Sequence, residues 1–141
     1  AAGDVIDPAT DQVLAGARRA DGPGLSDVRT LLRRGAPLAA GGLGTSTTLV
    51  VVATNARLTQ AQAAKVAQMA HDGLARTIQP VHTPVDGDVV FALSTGELRE
   101  PPDLIRVGAL AADVVAEAVL RAVRTATGLP GYPAVGELAE Q

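Results

Sequence analysis

Cysteine is absent from the 141 residues. That excludes disulfides, cysteine-ligated zinc, iron–sulfur clusters and a thiol nucleophile. Aromatic rings are almost absent: Phe91 and Tyr132 stand alone. Without rings there is no platform for stacking bases. The core must instead pack Ala, Val and Leu closely, which favours helix–sheet layers. Basic tracts are missing as well. Twelve Lys and Arg against fifteen Asp and Glu leave a formal charge of −3, and Lys65 is the single lysine. This balance argues against a nucleic-acid partner. No apolar run reaches the ~18 residues that span a bilayer. The best stretch, Val107 to Val123, is broken by Asp113, Glu117 and Arg121. Nothing resembles a signal segment, so the expectation is a soluble, cytoplasmic protein with no membrane partner. His71 and His82 stand eleven residues apart, which is no metal-ligand spacing, and neither a metal nor another cofactor is expected.

What is present suits a folded core: 47% of residues are hydrophobic and 19% charged. The length fits one domain or a substantial piece of a larger one. Val5-Ile6 and Val13-Leu14 flank Asp7-Pro8-Ala9-Thr10-Asp11, whose turn chemistry predicts a hairpin. Asp21-Gly22-Pro23-Gly24 reads as a loop. Ser26 then caps a short helix over Asp27 to Arg34, ended by Gly35. Ala36 to Ser46 is small, irregular and glycine-rich, the best candidate for a processing loop. Thr47 to Thr54 and Val89 to Leu93 are apolar and largely β-branched, as suits strands buried on both faces. Thr59-Gln60-Ala61-Gln62 is a capping box that opens a helix towards Arg76. Pro101-Pro102-Asp103 opens the longest helix, Leu104 to Thr127, stopped by Gly128 and Pro130. The tail from Gly131 reads as loosely ordered. The order predicts an α/β layered fold.

Three groups of residues could carry chemistry. Thr45-Ser46-Thr47-Thr48 puts four hydroxyls between the glycine-rich loop and a strand. Threonine suits strands for ordinary reasons. One of these hydroxyls becomes a usable nucleophile if a chain break frees the threonine's own α-amine as base. The segment His82-Thr83-Pro84-Val85-Asp86-Gly87-Asp88 sets two carboxylates around a glycine, either as a plain turn or as a pair that orients a hydroxyl. His71-Asp72-Gly73 sits near a helix end, where histidine complements the helix dipole. Adjacent helical residues do not face each other, so His71 and Asp72 form no dyad.

Four blocks occur together in one known order: Gly3-Asp4-Val5-Ile6-Asp7, Thr47 to Ala56, Ala70-His71-Asp72-Gly73-Leu74-Ala75-Arg76, and His82 to Asp88. On these blocks the chain resembles the L-aminopeptidase/D-esterase family of self-processing hydrolases, which includes β-peptidyl aminopeptidases and nylon-oligomer hydrolases. The resemblance runs to about Arg124. It implies an αββα sandwich like that of N-terminal-nucleophile hydrolases, with different connectivity. It implies cleavage between Ser46 and Thr47, with Thr47 becoming the nucleophile and Asp86 and Asp88 lying near it. Residues 1–46 would then close the large subunit, and residues 47–141 would form the small one. It further implies a small amide or short peptide as substrate and a homo-oligomer, four processed protomers in expectation.

Two departures qualify that picture. The family usually carries asparagine before the scissile bond, where this chain has Ser46. The family's oxyanion-stabilising asparagine would fall at or just before Ala1, and a helping lysine further upstream; Lys65 is not that residue. The expectation is therefore a chain holding part of a site, completed by the remainder of the large subunit. The leading function is an amide hydrolase working through an acyl-enzyme. The alternatives are an acyltransferase of the ornithine acetyltransferase type, and an uncleaved, inactive homologue with an assembly or binding role.

Overall fold

The computed structural model describes residues 1–19, 24–36 and 46–138. Strands β1 (Asp4–Ile6) and β2 (Val13–Ala15) form the expected antiparallel hairpin, with Val5 opposite Ala15. The turn is built locally. Asp7 Oδ1 accepts the Ala9 N–H at 2.9 Å, and Asp7 O accepts the Asp11 N–H at 2.8 Å. Asp11 closes it at φ 58°, a left-handed conformation that aspartate tolerates. Helix α1 (Val28–Arg33) follows, and its cap is Asp27 rather than Ser26. The Asp27 carboxylate accepts the Arg29 N–H at 2.9 Å and also binds the Arg29 guanidinium, a second contact that serine could not make. Gly35 ends the helix at φ 74°.

Strand β3 (Leu49–Thr54) begins two residues later than expected. Helix α2 (Gln60–Thr77) opens with the expected capping box: Gln62 Oε1 accepts the Thr59 N–H at 2.9 Å while Thr59 Oγ1 accepts the Gln62 N–H at 3.3 Å. A two-residue strand, β4 (Ile78–Gln79), leaves the helix directly and was too short to be read from sequence. Strand β5 (Val89–Ser94) and helix α3 (Leu104–Thr125), capped by Asp103, lie close to their expected bounds. The tail is more ordered than expected. It forms a short helix, α4 (Val135–Leu138), and Glu137 accepts the N–H groups of Gly128 and Ala134 at 3.2 and 3.0 Å. One carboxylate thus ties the tail to the end of α3. Residues 37–45 of the proposed processing loop, Ala36 to Ser46, lie outside the described residues, as do residues 21–23 of the earlier loop.

The strands make a three-stranded sheet, β2-β1-β4, and a parallel pair, β3-β5. The mixed α/β class is therefore observed. Helices α2 and α3 pack on one another and on the pair, burying Val52, Val66, Ala70, Leu74, Val90, Ala111 and Val115. The two helices meet at Gly73. A Cβ there would overlap the Ala112 carbonyl and lie 2.7 Å from Val115 Cβ. Asp4, 1% exposed, clamps the hairpin to α1 by accepting the Ala17 N–H at 3.0 Å and the Val28 N–H at 2.7 Å. Burial raises its pKa above the ordinary carboxylate value despite those two donors.

The expectation that β3 and β5 are buried on both faces needs correction. Only the helix-facing side is covered. Leu49, Val51, Phe91 and Leu93 on the other side are 73%, 67%, 58% and 54% exposed. An uninterrupted apolar run records that a strand can be covered twice, not that its own chain supplies both layers. No helix among the described residues is long and apolar enough to cross a membrane.

Candidate active site

The site is assembled by strand register. Leu49 pairs with Val89 and each following residue keeps the same offset, to Thr54 with Ser94. The register extends beyond the start of both strands through a parallel bridge between Ser46 and Asp86. Thr47 therefore faces Gly87, and Thr48 faces Asp88. Two main-chain bonds hold this end of the ladder: Gly87 N–H to Ser46 O at 2.9 Å, and Val89 N–H to Thr48 O at 3.0 Å. The Ser46–Thr47 peptide thus lies against Asp86-Gly87-Asp88 although the two segments are forty residues apart in the chain.

Side chains alternate along an extended strand. Thr47 falls on the bare face with Leu49 and Val51 and is itself exposed. Its hydroxyl stands over Gly87, where a Cβ would lie 2.7 Å from Thr47 Oγ1. Thr48 falls on the covered side and enters the carboxylate cluster. Asp88 Oδ1 accepts the Thr48 N–H at 2.7 Å, and the Ala1 nitrogen lies 2.9 Å from both Asp88 Oδ1 and Thr48 Oγ1. The Asp88 side chain is 2% exposed, and its Oδ2 is buried with no hydrogen-bond partner. Asp86 Oδ1 accepts the Ala2 N–H at 2.6 Å, and Oδ2 accepts the Thr83 N–H at 3.0 Å. Burial works to raise the Asp86 pKa, but these donors outweigh it, so the carboxyl is held below its ordinary value and is ionised near neutrality.

The structure thus gathers Asp86 and Asp88 around Thr48 and the Ala1-Ala2 backbone, and sets the Thr47 hydroxyl against the glycine between them. Thr48 was legible only as one of four hydroxyls, because pattern alone cannot say which face each takes. A second pairing was not legible at all. His71, on α2, and His82, at φ 57°, meet edge-to-face with ring centroids 5.0 Å apart. Burial lowers the His71 pKa and the charge of His82 lowers it further, while Asp88 and Asp72 pull the other way. Among the described residues no three metal-ligating side chains converge.

Two recesses among the described residues lie away from this site. An apolar one of 460 Å³, lined by Leu14, Leu25, Val123, Leu129 and Tyr132, sits between β2 and the tail. Another, of 400 Å³, runs along α2 and β5 past His71 and Phe91. Neither is lined by Ser46, Thr47, Asp86 or Asp88.

Comparison with known proteins narrows what this geometry is for. The profile of Peptidase family S58 matches residues 8–135. An uncharacterized aminopeptidase of Mycobacterium tuberculosis (strain H37Rv) is 42% identical over 152 aligned positions, which cover 94% of this chain and 44% of that protein. An uncharacterized aminopeptidase of Mycobacterium leprae (strain TN) is 46% identical over 101 positions, covering 62% of this chain and 28% of that protein. A 6-aminohexanoate-oligomer endohydrolase of Kocuria sp. (strain KY2) is 32% identical over 90 positions, covering 56% and 25%. The chain therefore spans less than half the length of these curated relatives.

Proposed function

Since the chain belongs to peptidase family S58, we propose that it is the nucleophile-bearing part of a self-processing amide hydrolase. In this reading Thr47 Oγ1 attacks the Ser46 carbonyl, and the chain breaks between Ser46 and Thr47. The freed α-amine of Thr47 then serves as base for its own hydroxyl, which attacks the substrate carbonyl and forms an acyl-enzyme. Asp86 and Asp88 hold the segment and orient the amine. The observation that carries the reading is the ladder end, where the Ser46–Thr47 peptide is bonded directly to the Asp86-Gly87-Asp88 segment.

Residues 1–46 are then the end of the large subunit and residues 47–141 the small one. The bare face of β3 and β5 supports an αββα sandwich in which a second sheet covers Leu49, Val51, Phe91 and Leu93. Substrates are short peptides or amide oligomers, in keeping with the names of the relatives; an assembly of four processed protomers is what the family resemblance implies.

Ser46 favours one competing reading, an uncleaved homologue, because the family usually has asparagine there. A denaturing gel of the full polypeptide separates the two. Two fragments support the enzyme, and one full-length band supports the homologue. Thr47→Ala should abolish both breakage and hydrolysis, whereas Thr47→Ser should keep part of each. If the alanine variant still breaks after Ser46 and still hydrolyses amides, the reading is wrong.

A further inference from the structure

The Ser46 carbonyl is not free in the uncleaved chain. It accepts the Gly87 N–H at 2.9 Å, so a main-chain donor already bonds the oxygen that would carry the charge when this carbonyl is attacked. Gly87 is also the residue against which the Thr47 hydroxyl rests. We propose that the Gly87 main-chain N–H is an oxyanion donor for self-cleavage, and that position 87 lacks a side chain because the Thr47 hydroxyl fills that space. This rests on the reading that Thr47 is the nucleophile.

The chemistry follows atom by atom. Thr47 Oγ1 forms a bond to the Ser46 carbonyl carbon, and the carbonyl π pair moves onto Ser46 O, where the Gly87 N–H meets it. Collapse of this intermediate breaks the bond from that carbon to the Thr47 nitrogen. The proton lost by the hydroxyl ends on that nitrogen, leaving an amine and an ester. Solvent water then adds to the ester, releases Thr47 Oγ1 as a hydroxyl again, and leaves Ser46 with a carboxyl group. Each step needs only the chain and water. The donor is held firmly, because the next rung, Val89 N–H to Thr48 O at 3.0 Å, and the Thr48 N–H to Asp88 bond at 2.7 Å fix the strand just downstream.

Backbone strain gives no competing reason for the glycine. Gly87, unlike Gly24, Gly35, Gly96 and Gly131, has no left-handed φ. What a side chain would meet there is the nucleophile itself, 2.7 Å from a Cβ, with the Ser46 carbonyl oxygen at 3.7 Å. The glycine therefore leaves room for the attacking oxygen while its N–H polarises the carbonyl under attack.

The donor can be removed without adding an atom by placing glycolic acid at position 87 of the full polypeptide, which turns the Asp86–Gly87 amide into an ester. Chain breakage is then followed on a denaturing gel, with thermal melting as the check on folding. The expected result is breakage slowed by about 10²–10³-fold, the usual effect of losing one oxyanion donor. Breakage at the parent rate overturns the proposal. If the ester protein does not fold, the space argument decides. Gly87→Ala should slow breakage, and adding Thr47→Ser should restore part of the rate, because serine lets the hydroxyl swing away from the new methyl. An unslowed alanine variant, or no restoration, overturns the proposal. Thr47→Ala runs alongside throughout. If it also breaks at the parent rate, the nucleophile reading has failed. If it stays intact while the ester protein breaks normally, only the role of Gly87 has failed.

Discussion

Asp88 offers the sharpest separation of chemistry from scaffold. Its Oδ1 accepts the Thr48 N–H at 2.7 Å, and its Oδ2 is buried without a partner. Asp88→Asn can keep the oxygen on Thr48 and turn the amide nitrogen to the unpartnered side. No existing bond need break, and only the charge is lost. A hydrogen bond to a charged group contributes about 1.5–3 kcal/mol and a neutral one about 0.5–1.5, so the cost to stability should be about 1 kcal/mol. Asp88→Ala instead orphans the part-buried Thr48 N–H, at up to about 3 kcal/mol, and opens a space on the covered side of the strand. Under the proposed function, hydrolysis should respond differently. A positioned acid–base or orienting carboxylate is worth at least about 10²-fold, which is about 2.7 kcal/mol of barrier. The asparagine variant should therefore be nearly as stable as the parent yet about a hundredfold slower. Urea unfolding midpoints and turnover of an aminoacyl anilide by the processed protein measure the two effects. If Asp88→Asn hydrolyses at the parent rate, Asp88 is scaffold only. If it unfolds as readily as Asp88→Ala, the bond to Thr48 depends on the charge and the separation argued above is wrong.

Other expectations follow from the packing. Gly73→Ala should destabilise the chain by about 1–3 kcal/mol, because its Cβ meets the Ala112 carbonyl and Val115 at the α2–α3 crossing; an unchanged melting temperature would refute that crossing. Asp4→Ala should cost about 1–3 kcal/mol for the buried Val28 N–H it orphans and less for the part-buried Ala17 N–H, and should loosen α1 from the hairpin, as amide exchange at Val28 would report. His71 has its folded pKa lowered by burial and by His82, so between that value and the ordinary 6.5 the unfolded chain binds the extra proton. Its contribution to stability is present above 6.5 and is lost as pH falls through the lowered pKa. His71→Gln should flatten the pH dependence of the unfolding free energy in that window, and an identical slope would refute the assignment.

The elements with local causes were legible in the sequence. The hairpin follows from Asp7-Pro8, and the start of α2 from Thr59 and Gln62 bonding each other across one turn. Helix α3 follows from Pro101-Pro102-Asp103 and its apolar stripe, although it ends at Thr125, before Gly128 and Pro130 are reached. Capping and turn bonds join residues two to four apart, so composition and spacing suffice to find them. Where two capping residues stood side by side, at Ser26 and Asp27, spacing could not choose between them. The contact of Asp27 with Arg29 did. The family itself was legible for a related reason, since its blocks are short runs of neighbouring residues.

What depends on distant segments was not legible. Strand β4 exists because β1 offers an edge to the two residues leaving α2. The meeting of His71 with His82, and of Asp88 with Thr48 and the Ala1 nitrogen, depends on how α2 carries the chain from β3 back to β5. Above all, the sequence by itself determined which residues could do chemistry, Thr47, Asp86 and Asp88 among them, but not which side of the sheet each takes. Hydroxyl and carboxylate runs look alike on either face. Face is set by the register of two parallel strands, and register is a tertiary property, because a slip of one residue turns every side chain over. Here the register sets Thr47 over Gly87 on the bare side and Thr48 among the carboxylates on the covered side.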